Sequence, residues 1–207
     1  MPISNLEQLN AMHIDVLKEI GNIGAGNAAT SLAQMTNSEI DMVTPVVRIL
    51  DISEADNALG GPETLAAAIL VELFGDIHGI MMFVISKEFT KVLLNLLLGQ
   101  TNANCMHLSE MEKSALSEIG NIMISSYANS IATLSKLKIQ ISVPAVTSDM
   151  VGALLTVPAA EMGSVSDKII FVQDDFITSN KTISADMLLI PDINSLNKLM
   201  GSLGIEL

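Results

Sequence analysis

The chain has no tryptophan, one tyrosine, one cysteine, and ten basic side chains against 23 acidic ones. Each shortage excludes something. With few aromatics and 13 methionines, the core is expected to be aliphatic and adaptable in shape. The single cysteine, Cys105, excludes an internal disulfide, and a free thiol fits a reducing cytoplasm. A formal net charge of −13 leaves no basic face for nucleic acid and disfavours anionic membrane surfaces. No uncharged apolar run approaches the roughly 18 residues of a membrane span. The first residues, MPISNLEQLN, lack a basic n-region and an apolar h-region, so no signal peptide is expected. Hydrophobic residues make up 49% of the chain, which is ample for a core and unlike disorder.

What the sequence does have is a repeat. At an offset of 99 residues, Leu9 falls on Leu108, Met12 on Met111 and Leu17 on Leu116. The match continues without a gap through EIGNI, Glu19–Ile23 on Glu118–Ile122. Ser31 then falls on Ser130, Ala33 on Ala132 and Pro45 on Pro144. Two homologous halves, about 1–102 and 103–207, follow from this. Each reads as a long helix (6–35 and 108–137), then a strand at the proline (40–47 and 139–146), then an irregular or helical stretch. Two apolar strands come next (68–74 with 79–86, and 168–173 with 184–190), and a helix closes each half. The second pair of strands is joined by a longer polar turn, DDFITSNKT. The expected fold is α/β of the α+β type. It is one pseudo-two-fold domain with a six-stranded, mainly antiparallel sheet and the two long helices packed on it.

On a helical wheel, Val16, Leu17, Ile20, Ile23, Gly24, Ala28 and Leu32 form the core side of the first helix. Asp15, Glu19 and Asn22 stand at i, i+4 and i+7 on the opposite side. Gly26, Ala29 and Ala33 extend that ridge, which therefore looks open to close approach. The second helix repeats the plan with Ser114, Glu118 and Asn121, then Ser125, Ala128 and Ala132. A solvated face preserved by duplication is the plain alternative. Asn does not titrate, so it is no general base, but its carboxamide can hold a water by one donated and one accepted hydrogen bond. A neighbouring Glu can pair with a cation on whatever docks. The pair lacks a nucleophile and a metal set, so it suits completing another protein's active site better than enclosing a small molecule.

Other motifs carry less. GNIGAGN has the glycine order G-x-x-G-x-G, reversed from the dinucleotide fingerprint, and the helical pattern runs through it. The second copy replaces Gly24 and Gly26 by Met123 and Ser125, so helix packing explains these glycines better than phosphate binding. His13, His78 and His107 stand singly, and no metal site is expected. Cys105 has no activating base nearby and is expected to be inert. Asp174–Asp175 and Glu54/Asp56 are expected in solvated turns.

The spacing Asp15-x3-Glu19-x2-Asn22-x22-Pro45, repeated as Ser114-x3-Glu118-x2-Asn121-x22-Pro144, resembles the signature of the CheC family of chemotaxis phosphatases. The resemblance spans the chain, and its length fits the stand-alone members. It implies hydrolysis of phospho-CheY, a receiver-domain response regulator that brings its own acyl phosphate and Mg²⁺, so no cofactor is expected on this chain. It implies that Asn22 and Asn121 orient the attacking water and that Glu19 and Glu118 pair with the regulator's lysine. Asp15, Ser114, Pro45 and Pro144 have supporting roles. It also implies a second partner, the chemoreceptor deamidase CheD, and a cytoplasmic monomer. The rival expectation is a non-enzymatic adaptor that binds CheY-P or CheD.

Overall fold

A computed structural model describes residues 9–99, 105, 107–162, 168–178 and 181–204. The start of the first expected helix (residues 6–8) and the boundary between the halves lie outside these residues.

Helix α1 (Ala11–Thr36) begins where the Asn10 side chain accepts hydrogen bonds from the backbone N–H groups of Met12 and His13. His13 closes the cap, its Nδ1 accepting from Asn10 N–H at 3.0 Å. That acceptor must be unprotonated, and burial lowers the His13 pKa accordingly. The helix ends at Asn37, which takes a left-handed conformation. Strands β1 (Ile40–Met42) and β2 (Val46–Asp51) follow, then the one-turn α2 (Ala55–Ala58), β3 (Leu65–Gly75), β4 (Gly79–Ser86) and α3 (Lys87–Leu98).

The second half repeats the order with α4 (Glu110–Ser135), β5 (Ile139–Ile141), β6 (Ala145–Met150), α5 (Val151–Leu154), α6 (Thr156–Met162), β7 (Lys168–Thr178), β8 (Lys181–Pro191) and α7 (Ile193–Ser202). A Ser109/Glu112 capping box starts α4.

The sheet runs β1-β7-β8-β4-β3-β5, with β2 also on β7 and β6 also on β3, and all pairings are antiparallel. The six expected strand positions are present, but the outer two are each split. Val43–Pro45 bulge between β1 and β2, and Ser142–Pro144 between β5 and β6. Pro has no N–H for the ladder, and one extra residue opposite the neighbouring strand forces the bulge. Val43 N–H still reaches Asp175 O at 2.8 Å. The outer strands are also exchanged: β1 and β2 of the first half pair with β7 of the second, and β5 and β6 pair with β3 of the first.

Helices α1, α3, α4 and α7 cover one face of the sheet, and α2 and α5 cover part of the other. Central strand β4 is buried on both sides. Met81, Phe83 and Ile85 enter the main core, whereas Met82 and Val84 enter the smaller one. This explains its unbroken apolar sequence. No helix among the described residues is long and apolar enough to cross a membrane.

Both repeated glycines of EIGNI seat a helix on the sheet. The Cβ position of Gly21 lies 3.4 Å from Val172 and 3.5 Å from Val47, and that of Gly120 lies 2.4 Å from Ile69 Cγ2. Gly120→Ala is therefore expected to destabilise by about 1–3 kcal/mol through overpacking, which outweighs the roughly 1 kcal/mol of better helix propensity. Gly201→Ala, in α7 with no atom within 4 Å of its Cβ position, should not destabilise. Urea unfolding midpoints check both, and an undiminished midpoint for Gly120→Ala would show that Ile69 yields freely.

The polar turn expected at DDFITSNKT is a correction. Strands β7 and β8 extend to Thr178 and Lys181, so Asp174 and Asp175 lie within β7. Asp175 accepts from Ser184 Oγ at 2.6 Å, and Asp174 points into the core at 1% exposure. A buried acid in the middle of a strand looks like turn chemistry until its partner is known.

Candidate functional site

Glu19 and Asn22 are exposed on α1, and Glu118 is exposed on α4 with Asn121 half-buried beside it. Each pair stands one turn apart on the ridge facing away from the sheet. The prolines, 23 positions further on, return to the motif helices through the bulges. Pro45 is buried under α1, its Cγ 3.8 Å from the Cβ position of Gly21. In the second half, Ser117, Glu118 and Asn121 of α4 face Ile141, Ser142, Val143 and Pro144 across a groove of about 410 Å³. The structure thus brings Glu118, Asn121 and Pro144 to one open groove, its helical side carrying the polar groups and its bulge forming the wall.

The supporting positions differ between the halves. Asp15 is ion-paired with Lys18 at 3.1 Å on the exposed ridge. Their counterparts are Ser114 and Ser117, which form no such pair. Exposed pairs of this kind are worth at most about 1 kcal/mol, so the Asp15–Lys18 pair can open at little cost when another surface arrives.

Part of the expected ridge is not available. Ala29 is 4% exposed and Ala128 5% exposed, and the Cβ position of Gly26 lies 3.8 Å from Met42 Sδ. Gly26 thus faces the molecule's own strand β1, and Ala29 and Ala128 are taken up by the protein's own packing, so none of the three is open to an outside surface. Gly24 packs inward as the wheel places it, its Cβ position 2.5 Å from the Tyr127 ring. The wheel gave the direction of these residues but could not show that β1 would curl alongside.

Sequence reasoning missed one buried polar pair. The Tyr127 hydroxyl donates to Asp174 Oδ2, and both side chains are buried. Asp174 Oδ1 has no hydrogen-bond partner. Burial pushes the Asp174 carboxyl up to about 8, against the pull of the tyrosine bond, and Asp186 and Asp175 raise it further. A signal was present for the packing of Tyr127 against Gly24, though none for Asp174. The offset aligns Gly24 with Met123 and Ala28 with Tyr127, so a small residue exchanges with a large one in both columns. On the other face of the sheet, Asp186 is pushed up to about 7 by burial and by Asp175, while nearby Arg48 lowers it. Arg48 lies over the Phe171 ring at 4.9 Å and donates to Gln173 Oε1 at 3.3 Å.

No group of three or more His, Cys, Asp or Glu side chains among the described residues is placed to hold a metal ion. Cys105 is buried and its thiol is pushed up by desolvation, which keeps it protonated and unreactive.

The profile of the CheC-like family matches residues 12–49 and 111–148, one motif helix and outer strand from each half. The chain is 34% identical over 198 residues to the CheY-P phosphatase CheC of Bacillus subtilis, covering 94% of this chain and 95% of that one. The chain belongs to the CheC-like family. It is also 31% identical to the flagellar motor switch phosphatase FliY of the same organism, over 70% of this chain and 38% of that protein. Among solved structures, Thermotoga maritima FliY superposes with a TM-score of 0.76 at 22% identity, covering 95% of this chain and 98% of that one. The middle domain of FliM from H. pylori has the same fold, with a TM-score of 0.69 at 12% identity and coverage of 94% and 99%.

Proposed function

We propose that the protein hydrolyses the acyl phosphate of a phosphorylated response regulator of the CheY kind. The observation that carries this reading is the Glu–Asn pair on an outward helical ridge in both halves, which in the second half borders an open groove. The full-length similarity to a CheY-P phosphatase supports it.

In this reading Asn22 or Asn121 enters the regulator's active site and orients a water. The water oxygen attacks phosphorus, the bond from phosphorus to the aspartyl oxygen breaks, and phosphate leaves with the aspartate restored as carboxylate. Positioning lowers the barrier, because the carboxamide neither gives nor takes a proton permanently. Glu19 and Glu118 pair with the regulator's lysine and fix the docking angle. The Mg²⁺ belongs to the regulator. Asp15 and Ser114 border the contact, and Pro45 and Pro144 shape the wall beside it. The reading places the protein in the cytoplasm with its substrate, acting as a monomer. The family resemblance supports CheD as a second partner. The stretch AVTSDMVGALL, a candidate surface for it, forms β6 and the whole of α5.

The test loads a receiver domain with acyl phosphate in Mg²⁺ and follows phosphate release with and without this protein. Acceleration at substoichiometric protein is expected. Binding of the loaded receiver with no faster decay would instead make the protein an adaptor.

A further inference from the structure

The two halves have diverged over most of the exposed surface of their motif helices. On α1 the exposed residues Ala11, Asp15, Lys18, Asn27, Thr30 and Gln34 all differ from their counterparts on α4. The exposed residues that do not differ are Met12, Glu19 and Asn22, matched by Met111, Glu118 and Asn121. Glu and Asn have a chemical reason to persist. A methionine in water has none, since an apolar side chain gains nothing there.

The exposure is large. Met12 is 62% exposed and Met111 64%, and only Val143, at 87%, is a more exposed large hydrophobic among the described residues. Val143 lines the groove that holds Glu118 and Asn121. The three most exposed large apolar side chains among the described residues thus all lie on the motif helices or in the groove beside one. Single exposed apolar residues are ordinary. Their concentration here, with two at the same register in diverged copies, is not.

The geometry aligns them with the motif. Positions 12, 19 and 22 fall within about 80° of one another around the helix axis, and Met12 lies about 15 Å from Asn22 along it. Each methionine sits in the first helical turn. That turn is fastened by a capping box in both halves, built from Asn10 and His13 in one and from Ser109 and Glu112 in the other. Different residues thus hold the same methionine backbone in place, which lowers the ordering cost of a contact made there.

We infer that Met12 and Met111 are apolar docking contacts for the phosphorylated receiver domain, each seating in a recess of that domain about 15 Å from its phosphoryl group. This rests on the phosphatase reading of the same ridge. The methionine supplies affinity and register, while the Asn does the chemistry one end of the ridge away. A thioether is polarizable and unbranched, so it adapts to such a recess.

The test uses the full chain and a receiver domain loaded with beryllofluoride and Mg²⁺ as the binding probe, alongside phosphate-release kinetics. Met12→Ser/Met111→Ser should raise both Kd and KM about tenfold, the equivalent of about 1.4 kcal/mol. It should move kcat less than about twofold, because only binding shared by ground and transition states is lost. Met12→Leu/Met111→Leu should restore tight binding. Both side chains are exposed, so the thermal midpoints of the variants should match the parent's. A serine variant that binds as tightly as the parent overturns the inference, and so does a parent that does not bind the loaded receiver. Methionine-dependent binding without turnover keeps the contact and removes the phosphatase reading instead.

Discussion

Replacing both Asn22 and Asn121 by alanine should remove nearly all of the protein's acceleration of receiver dephosphorylation, a loss of about a hundredfold or more at saturating protein. Each single replacement should remove only part, because the other helix still carries its own Glu–Asn pair. The effect is expected in kcat. Neither asparagine braces the fold: Asn22 is exposed and Asn121 half-buried on the groove rim, so alanine leaves no buried group stranded. The two single variants also report on inequality between the sites. The first carries the Asp15–Lys18 pair across its ridge and the second carries serines there, so their salt dependence should differ. Phosphate release by the two single variants and the double, compared at two ionic strengths, checks these points. A double variant with parental activity would sink the water-orienting role.

The second large effect concerns Tyr127 and Asp174. Tyr127→Ala should cost about 3–5 kcal/mol as a buried aromatic lost from the face that receives Gly24. Tyr127→Phe isolates one change. It keeps the packing and deprives a buried carboxyl of its hydrogen-bond partner, at about 1–3 kcal/mol.

The acid also makes stability depend on pH. The folded-state pKa of Asp174 is raised to about 8 from an ordinary 3.8, so the native protein keeps a proton that the unfolded chain releases. Its contribution is fully present below pH 3.8 and is lost progressively as pH rises towards 8. Asp174→Asn cannot ionise and should lack this dependence. The stability difference between the two proteins should therefore shift in favour of Asn as pH rises from 4 to 8, by on the order of 5 kcal/mol at most. Asp186 adds to the slope of both proteins, so the difference is the quantity to measure. Parallel stability curves from urea unfolding would show that Asp174 stays ionised in the fold.

Much of this molecule was legible because it is written twice. The EIGNI repeat located both motif helices, and Leu17, Ile20, Gly24, Ala28 and Leu32 are buried as the wheel places them. The Glu–Asn ridge was legible because helical spacing alone sets which residues share a face. Three features were not. The exchange of outer strands depends on pairing between residues far apart in the chain, such as Arg48 and Gln173 at a separation of 125, and no local pattern encodes it. The coverage of Gly26 by Met42 depends on how β1 runs alongside the helix before its bulge. Asp174 was misread because acids favour turns, and only the tyrosine opposite makes one tolerable in a core strand.

The exchanged outer strands also govern when this chain can fold as it is made. Hairpin β3–β4 can close as soon as it is synthesised, since only Asp76–His78 join its strands. Strands β1 and β2 have no partner until β7 is made, and the outer edge of β3 stays open until β5 and β6 arrive. A nascent first half therefore carries its Glu–Asn pair on a helix whose share of the sheet is unfinished, and presents unpaired strand edges meanwhile. Cleavage or premature termination between the halves would yield a fragment prone to pair with other chains, and not a smaller working enzyme.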